Sequence, residues 1–393
     1  MKIHVWVPDF TGATGGIQTF SRFLVKGLND CGHGLQLRVF AKNDISAPSV
    51  EDRLLARFGA VGTWPARQRT AAFTSKLLLS AYRDRPDLII VVHVNFAPVA
   101  HWLHKLMGIP FIVIGHGVEI WSHPGPRIAA ALRHATRLYA VSNFTRERMA
   151  AVLGISSDRI ELLPNTFDPN EFTLGPKPRF LVKRYGLRAD QPVVLTIARL
   201  ESAERYKGYD QVLRAIALVR QSFPEVRYLL GGRGPDRQRV TDLVAQFGLS
   251  QTVILAGFIP TYELAAHYNL CSVFAMPSKG EGFGIVFLEA LSCGKPVVAG
   301  NRDGSVDAVL NGKLGILVDP DNVNEIASAI IQILSGQGEG KGPTGNIQHS
   351  PASNGDRELI YQADKLRQKV IGAYGYPQFV KRLDEIVTTL KGR

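Results

Sequence analysis

The sequence predicts an α/β protein built from two doubly wound, Rossmann-like domains, each with a parallel sheet covered on both faces by helices. Short uninterrupted apolar segments alternate with amphipathic helical segments along most of the 393 residues. Strands of this kind are typical of parallel sheets buried between helices. The alternation breaks once, at the proline-rich segment PNTFDPNEFTLGPKPRF (164–180), which indicates a linker between two domains facing a cleft.

The elements follow in order along each half. In the first half, strands are predicted at 3–8, 35–41, 88–94, 111–116, 137–142 and 160–165, and helices at 17–30, 70–84, 98–107, 126–134 and 143–153. In the second half, strands are predicted at 193–200, 227–232, 253–258, 272–278, 296–300 and 316–318, and helices at 209–222, 235–247, 261–269, 284–293 and 322–335. A last amphipathic helix follows residue 375, with Phe379, Leu383, Ile386 and Leu390 on one stripe.

These elements predict an amino-terminal domain over 1–172 and a carboxy-terminal domain over 173–374. The Gly/Ser/Pro/Asn-rich segment 336–356 is expected to be a flexible insertion in the second domain. No apolar run is long enough for a membrane span, and the first residues read as a strand with no cleavable leader. Three cysteines without metal-ligand spacing favour neither a disulfide framework nor a zinc site. A cytoplasmic protein is therefore expected.

The net charge of +12 is unevenly distributed, and one cluster of cations lies in the amino-terminal part of the chain. Between Arg53 and Arg83 there are six cations and no acid, interleaved with Leu54, Trp64 and other apolar residues. This mixture suits an anionic membrane surface, so the protein could lie peripherally on the inner membrane face, or it could dock a phosphate-bearing substrate. A solvated helical face is an equally good interpretation. No nucleic-acid partner is expected.

Several residues with chemical potential follow predicted strands. Gly15 and Gly16 open the first helix, where backbone N–H groups could approach an anion, although a glycine pair at such a position is more often only turn geometry. Arg199 and Lys207 follow the strand at 193–200, and two cations at this edge could neutralise a leaving diphosphate without a metal. Solvated loop cations are the alternative. Gly232 lies in a second glycine turn, GGRGPD, at the same edge.

Two glutamates in EGFGIVFLEALSCGKPVVAG (281–300) need an explanation. Glu289 lies within an apolar helix, where an unpaired carboxylate is costly. Glu281 lies eight positions earlier, just before the helix. The backbone N–H groups of 283–285 would be unpaired at the helix start and face an anion. A carboxylate pair that accepts from sugar and ribose hydroxyls explains the pattern, and a structural arginine paired with Glu289 is the alternative.

With these motifs in order, the sequence resembles the retaining glycosyltransferases of the GT-B fold, and most of all glycosyltransferase family 4 with its E-x7-E motif. The resemblance covers nearly the whole chain through the GG loop, GHGVEIW, AVSNFTRERM, LLPNTFDPNEF, ARLESAERYKG, GGRGP, AGFIP and PSKGEGFGIVFLEALSCGKPVVAG. It implies transfer of a hexose from a nucleoside diphosphate sugar to a hydroxyl of a sugar or a lipid-linked acceptor. It also implies a last helix that returns to the first domain.

The resemblance assigns a role to each candidate residue. Arg199 and Lys207 would hold the diphosphate, Glu281 would contact the donor sugar, and Glu289 the ribose. The backbone of Phe283, Gly284 and Ile285 would cap the phosphates, with Phe258 and Ile259 against the base and Gly232 beside the nucleotide. Gly15 and Gly16 would reach the phosphates or sugar, and His116 the sugar or acceptor, unless it is a satisfied core histidine.

Some features depart from the family pattern or leave alternatives open. The loop from Arg199 to Lys207 is longer than the commonest version, so Lys207 is placed less securely than Glu281. The D-x-D at Asp319–Asp321 reads as a turn and helix cap, and no metal or other cofactor is expected. Retention follows from the resemblance alone. The alternatives are a nucleotide-sugar epimerase or phosphorylase on the same fold, or a non-catalytic binder of anionic polymer or membrane.

Overall fold

The computed structural model of the chain describes residues 1–11, 15–336 and 358–391. It divides into two compact units. The first contains Met1–Thr166 together with the segment from Tyr376, and the second contains Phe167–Gly375. The chain passes between them within the proline-rich segment predicted as a linker. Most of the insertion predicted at 336–356 lies outside the described residues.

The first unit is a seven-stranded parallel sheet with helices between its strands. The sheet order is β3-β2-β1-β4-β5-β6-β7. The strands are β1 (Lys2–Val7), β2 (Gln36–Ala41), β3 (Arg57–Ala60), β4 (Leu88–Val91), β5 (Phe111–Gly115), β6 (Arg137–Ala140) and β7 (Ile160–Leu162). The helices are α1 (Gly16–Asp30), α2 (Val50–Leu55), α3 (Ala66–Asp84), α4 (Ala97–Met107), α5 (Val118–Trp121), α6 (Pro126–Arg133) and α7 (Asn143–Leu153).

The second unit repeats this architecture with six parallel strands. Its sheet order is β10-β9-β8-β11-β12-β13. The strands are β8 (Val193–Ile197), β9 (Arg227–Gly231), β10 (Val253–Gly257), β11 (Val273–Met276), β12 (Val297–Gly300) and β13 (Ile316–Val318). The helices are α8 (Arg179–Arg184), α9 (Tyr209–Ser222), α10 (Arg237–Gln246), α11 (Thr261–Leu270), α12 (Ile285–Ser292), α13 (Ser305–Ala308), α14 (Val323–Gly336) and α15 (Ala363–Tyr374).

The last helix, α16 (Tyr376–Lys391), packs against α1 within the first unit. Phe379 and Leu383 are buried, and the Phe379 ring lies 5.8 Å from the ring of Phe20 on α1. The third buried residue on this face is Val387, not the predicted Ile386. Positions four apart, rather than three, therefore form the buried stripe.

Both cores follow from the apolar strands. In β4, β11 and β12 every residue is buried, as expected for strands covered by helices on both faces. Among the described residues, no helix combines the length and apolarity that crossing a membrane requires. What matters for the site is that both sheets are parallel, so the loops after their strands gather at one edge of each sheet.

Candidate functional site

The predicted cations and one predicted glutamate meet at the carboxyl edge of the second sheet. Lys207 ends a short 3₁₀ helix (Ser202–Lys207) in the loop after β8, and its ammonium group contacts a carboxylate oxygen of Glu281, in the loop after β11. The two loops are tied together by a hydrogen bond from the Lys279 N–H to the Tyr206 carbonyl (2.9 Å). Strands β8 and β11 are neighbours in the sheet, so this contact follows from the topology.

The Lys207–Glu281 pair is well shielded from water. Only 16% of the Lys207 side chain and 15% of the Glu281 side chain are exposed. Burial disfavours the Lys207 ammonium, but Glu281, Tyr206 and Glu204 together more than offset that penalty, and the pKa of Lys207 lies above its ordinary value. Lys207 is therefore a permanent cation at neutral pH. The longer loop has not displaced it from this edge.

Arg199 is joined to Lys207 by a residue that the sequence analysis did not identify. The Arg199 guanidinium contacts Oε1 of Glu204, while 64% of the Arg199 side chain remains exposed. Oε2 of Glu204 lies 3.8 Å from the Lys207 ammonium nitrogen. The four side chains therefore alternate in charge in the order Arg199, Glu204, Lys207, Glu281. Spacing between cations was the only sequence signal here, and it does not reveal the carboxylate between them.

Gly232 supports the backbone that carries Arg199. Its φ is 145°, and a Cβ at this position would lie 1.7 Å from the Ala198 carbonyl oxygen. The Leu200 N–H donates to the Arg233 carbonyl (3.0 Å), and the Ala198 N–H to the Gly231 carbonyl (2.9 Å). Only glycine allows this close approach. In the structure Gly232 thus fixes the loop after β8.

Asp303 accepts hydrogen bonds from the loop that carries Glu281. It is a second residue that the sequence analysis did not identify. Asp303 is fully buried, and its Oδ2 accepts from the Glu281 N–H (2.7 Å) and the Ser278 hydroxyl (2.7 Å). Its Oδ1 accepts from the Ser305 N–H (3.0 Å). Burial raises the pKa of Asp303, and these hydrogen bonds act against that rise. In sequence, Asp303 lies in NRDG, which reads only as a turn.

The helix behind Glu281 begins where it was predicted to begin. Helix α12 runs over Ile285–Ser292 with Gly284 as its N-cap, and no side chain caps its start. Phe283 and Ile285 are buried. The uncapped start is therefore positive in character.

Glu289 is paired with a tyrosine, not with an arginine. The Tyr268 hydroxyl on α11 donates to Glu289 Oε2 (2.6 Å). Burial raises the pKa of Glu289 to about 7, and the Tyr268 hydrogen bond opposes the rise. Glu289 as a whole residue is half-buried, and desolvation of its carboxylate by the surrounding protein is the main cause of the raised pKa.

Phe258 and Ile259 follow β10 at the sheet edge. Ile259 is buried, whereas 47% of Phe258 is exposed, with the Arg233 guanidinium 4.6 Å from its ring centre. A cavity of about 520 Å³ opens beside them. Its wall also includes Arg184 on α8, the adjacent Tyr185, and Glu263 and His267 on α11.

The remaining predicted residues belong to the first unit. Gly15 is the N-cap of α1, has an extended backbone, and receives no side-chain cap. Gly16 is the first residue of α1. The chain before them is held by Asp44, whose Oδ1 accepts from the Phe10 N–H (2.9 Å). The start of α1 therefore presents backbone N–H groups, as the sequence predicted for an anion site.

His116 lies directly after β5, and its ring is buried in the first unit. Its ring packs against Phe20 with centres 4.7 Å apart, and its buried Nε2 has no hydrogen-bond partner among the described residues. Burial lowers the pKa of His116 to about 3, helped by the nearby His93. The imidazole is neutral at physiological pH, and its free nitrogen can accept or donate one hydrogen bond depending on the tautomer.

The basic stretch 53–83 is only partly a surface. It covers the end of α2, all of β3 and most of α3, and β3 was not predicted because it contains no apolar run. Phe73 and Leu77 are buried in the core, whereas Leu54 is 81% and Trp64 50% exposed. Leu79 and Tyr82 on α3 are exposed as well, so exposed apolar side chains lie at both ends of the stretch.

Both aspartates of the D-x-D motif form ion pairs. Arg302 contacts Asp319 (2.5 Å) and Asp321 (3.0 Å), and Lys279 contacts Asp321 (2.6 Å). Asp319 forms the predicted turn by accepting from the Asp321 N–H (2.9 Å). The cap of α14, however, is Asn322, whose side chain accepts from the Glu325 N–H (3.1 Å). Across the described ranges, no group of three or more His, Cys, Asp or Glu side chains is placed to hold a metal ion.

Comparisons with known proteins agree with this architecture. The family described as Glycosyltransferase Family 4 matches residues 14–171, and the family described as Glycosyl transferases group 1 matches residues 179–349. Among solved structures, a sucrose-phosphate synthase from Thermosynechococcus elongatus aligns over the whole of both chains with a TM-score of 0.81 and 20% identity. HepE from Anabaena with UDP-glucose covers 99% of this chain and 100% of its own, with a TM-score of 0.76 and 20% identity.

Two curated relatives have more similar sequences. One is the GDP-mannose-dependent alpha-(1-6)-phosphatidylinositol monomannoside mannosyltransferase of Mycolicibacterium smegmatis, 36% identical over 56% of this chain and 59% of that protein. Another is the D-inositol 3-phosphate glycosyltransferase of Acidothermus cellulolyticus, 29% identical over 67% of this chain and 63% of that protein. The match thus spans about three-fifths of the length of each relative. The two family matches, with the two parallel sheets, show that this chain belongs to the glycosyltransferases of family 4 and has the GT-B fold.

Proposed function

We propose that this protein is a retaining, metal-independent glycosyltransferase that moves a hexose from a nucleoside diphosphate sugar to an acceptor hydroxyl. The observation that carries the proposal is the cluster of Arg199, Lys207 and Glu281 at the carboxyl edge of the second sheet. It combines two cations, which suit a diphosphate, with a carboxylate, which suits sugar hydroxyls.

The two cations would stabilise charge as the bond between sugar and phosphate breaks. Lys207 is shielded from water, and a fixed charge in such a place stabilises a developing negative charge more than a solvated one does. The guanidinium of Arg199 can bind phosphate oxygens with two parallel hydrogen bonds. The uncapped start of α12 would add backbone donors. These groups supply the charge that a metal ion would otherwise provide.

The remaining parts of the donor would be distributed along the same edge. Glu281 would accept from hydroxyls of the transferred sugar, and Glu289, oriented by Tyr268, from the ribose hydroxyls. The base would lie against Phe258, where the adjacent cavity of about 520 Å³ has the size of a small-ligand pocket.

Retention of configuration is proposed through attack on the same face as the leaving group. A double displacement needs a free carboxylate nucleophile beside the anomeric carbon. No residue is assigned that role here, since Glu281 is assigned to binding the sugar hydroxyls. The departing diphosphate would take the acceptor's proton, and the neutral His116 would orient the acceptor or the sugar through Nε2.

The basic stretch 53–83 supports a lipid-linked acceptor. In this form of the proposal, the enzyme lies peripherally on the cytoplasmic face of the membrane. Leu54 and Trp64 would enter the headgroup region while nearby arginines contact anionic lipid.

Co-sedimentation with vesicles of phosphatidylglycerol should fall at least threefold in the double variant Leu54→Ser and Trp64→Ser. Leu106→Ser is the control, because Leu106 is 62% exposed on α4 outside this stretch. Equal loss in the control would refute membrane docking through 53–83.

The proposed transferase activity is tested by donor binding and donor consumption in EDTA. UDP-, GDP- and ADP-sugars should be screened for thermal stabilisation, since a ligand at a hundredfold excess over its dissociation constant adds about 2.7 kcal/mol. Donor consumption with and without a candidate acceptor separates transfer from epimerisation and phosphorolysis. Failure of every nucleotide sugar at millimolar concentration would refute the proposal. Binding that is indifferent to Lys207→Ala but steeply salt-dependent would favour the non-catalytic binder.

A further inference from the structure

Glu204 has an unusual environment for a residue in a surface loop. It lies inside the 3₁₀ helix Ser202–Lys207, with a backbone conformation that departs from helical values (φ −110°, ψ 15°). Only 12% of its side chain is exposed. One carboxylate oxygen contacts Arg199, and the other, Oε2, is buried without a hydrogen bond to the described residues. A buried acceptor without a partner is costly and calls for an explanation.

The nearest cation to that oxygen is already engaged elsewhere. The ammonium nitrogen of Lys207 lies 3.8 Å from Glu204 Oε2, beyond hydrogen-bond distance, because it contacts Glu281. A shift of about 1 Å would bring it to an ordinary hydrogen-bond length of ~2.8 Å. An ammonium group has three donors, so Lys207 can serve a phosphate and Glu204 together.

This arrangement leaves a conflict that donor binding must resolve. Under the function proposed above, on which this inference rests, Glu281 accepts from sugar hydroxyls and Lys207 donates to the diphosphate. In the structure these two groups neutralise each other. The Glu281 carboxylate offsets the charge of the ammonium group, so loosening the ion pair makes the full charge of Lys207 available to the diphosphate and both oxygens of Glu281 available to the sugar.

We propose that Glu204 is a positioning residue that anchors Arg199 and receives Lys207 when the donor binds, which releases Glu281 for the sugar. Oε1 keeps Arg199 in place throughout. Oε2 supplies the second contact of Lys207 once the ammonium group has left Glu281 for the diphosphate. Glu204 itself does not touch the substrate.

The inference is tested by the dissociation constants of GDP and UDP in EDTA, because both nucleotides lack the sugar. Glu281→Gln removes the competitor for Lys207, and binding of the nucleotide that the wild type prefers should tighten about tenfold. Glu204→Gln weakens the contact that holds Arg199 and the proposed contact that receives Lys207, and binding of the same nucleotide should weaken about fivefold. This sign is informative, since removing a negative charge near an anion would by itself tighten binding.

Glu201→Gln is the matched control. Glu201 starts the same loop, and its contacts within the described part of the chain are made by its backbone carbonyl, which accepts from the Tyr209 hydroxyl (3.4 Å) and the Glu204 N–H (2.9 Å). This variant removes the same charge and should leave binding unchanged or slightly tighter. The melting temperature of Glu204→Gln should stay within about 2 °C of the wild type, whereas a purely structural residue would change stability instead of affinity. Glu204→Asp, which keeps the charge, should recover part of the lost affinity.

Two results would overturn the inference. One is a Glu204→Gln variant that binds the nucleotide as tightly as Glu201→Gln does. The other is a Glu281→Gln variant whose nucleotide affinity is unchanged or lower, which would mean that Glu281 does not withhold Lys207. The second result remains decisive even if Glu204→Gln fails to fold. A wild type that binds neither nucleotide, and that no ADP-sugar stabilises, would refute the proposed function and the inference with it.

Discussion

Replacing Glu289 by glutamine should make the protein more stable while removing its response to nucleotide. The glutamine side chain is nearly isosteric with glutamate, and its amide oxygen could still accept from the Tyr268 hydroxyl. The carboxylate, by contrast, is held in a place that raises its pKa from 4.5 to about 7. A site that destabilises its own charged group is retained for binding when it offers that charge to a ligand.

The magnitude follows from the shift of the pKa. A difference of about 2.5 units at ~1.36 kcal/mol per unit gives an upper bound of about 3.4 kcal/mol. Because Glu289 is partly exposed, water screens part of this cost, and we expect about 1–3 kcal/mol. For a unit of this size that corresponds to a rise in melting temperature of about 2–4 °C per kcal/mol.

The dependence on pH gives the sign of the effect. The folded state holds the Glu289 proton more tightly than the unfolded chain does, so the wild type is favoured at low pH. Its stability relative to Glu289→Gln should fall as the pH rises from about 4.5 to about 7 and then level off. Below pH 4.5 the two proteins should differ little.

Calorimetry at pH 5, 6, 7 and 8, with and without the best nucleotide sugar, measures both effects. Glu147→Gln is the control, because Glu147 is exposed on α7, and it should show neither effect. The reasoning is refuted if Glu289→Gln is less stable than the wild type at pH 8, or if its advantage does not depend on pH. Retained stabilisation by nucleotide would refute the ribose contact alone.

Three further substitutions test the supports of the site. Tyr268→Phe removes the donor to Glu289, so the pKa of that carboxyl should rise further in an NMR titration, and donor KM should increase about tenfold. Asp303→Ala removes the acceptor for the Glu281 N–H and should lower kcat at least tenfold with a loss of about 1–3 kcal/mol in urea unfolding. Gly304→Ala should lower kcat as well, because its Cβ would lie 2.0 Å from the Gly282 carbonyl oxygen. Unchanged kinetics in either of the last two would mean that the Glu281 loop does not need this support.

The regular part of the fold could be read from the sequence because buried parallel strands leave a strong signal. Each apolar segment predicted as a strand coincides with an observed strand to within a few residues, β7 and β8 among them. Strand β3 was not predicted because its sequence, RFGA, contains an arginine and a glycine and no apolar run. Helix α15 was not predicted because it begins soon after the low-complexity segment, where no pattern of apolar residues distinguishes a helix from a loop.

The candidate site was predictable to the extent that its residues follow strands. Arg199, Gly232 and Glu281 all lie just after a strand of one parallel sheet, and topology alone brings such positions to one edge. Glu204 and Asp303 could not be found in this way. Each acts through another residue, and a contact across loops from different strands leaves no spacing in the sequence.

The alternation of charge explains why those two carboxylates are needed. Arg199 and Lys207 lie beside the two oxygens of one carboxylate before any anion is bound, and neighbouring cations repel each other. Glu204 lies between them and offsets that repulsion. Asp303 fixes the loop that brings the fourth charge, Glu281, to Lys207. A site that must bind a dianionic group therefore keeps its cations assembled with carboxylates of its own, and the sequence reveals the cations more readily than the groups that hold them.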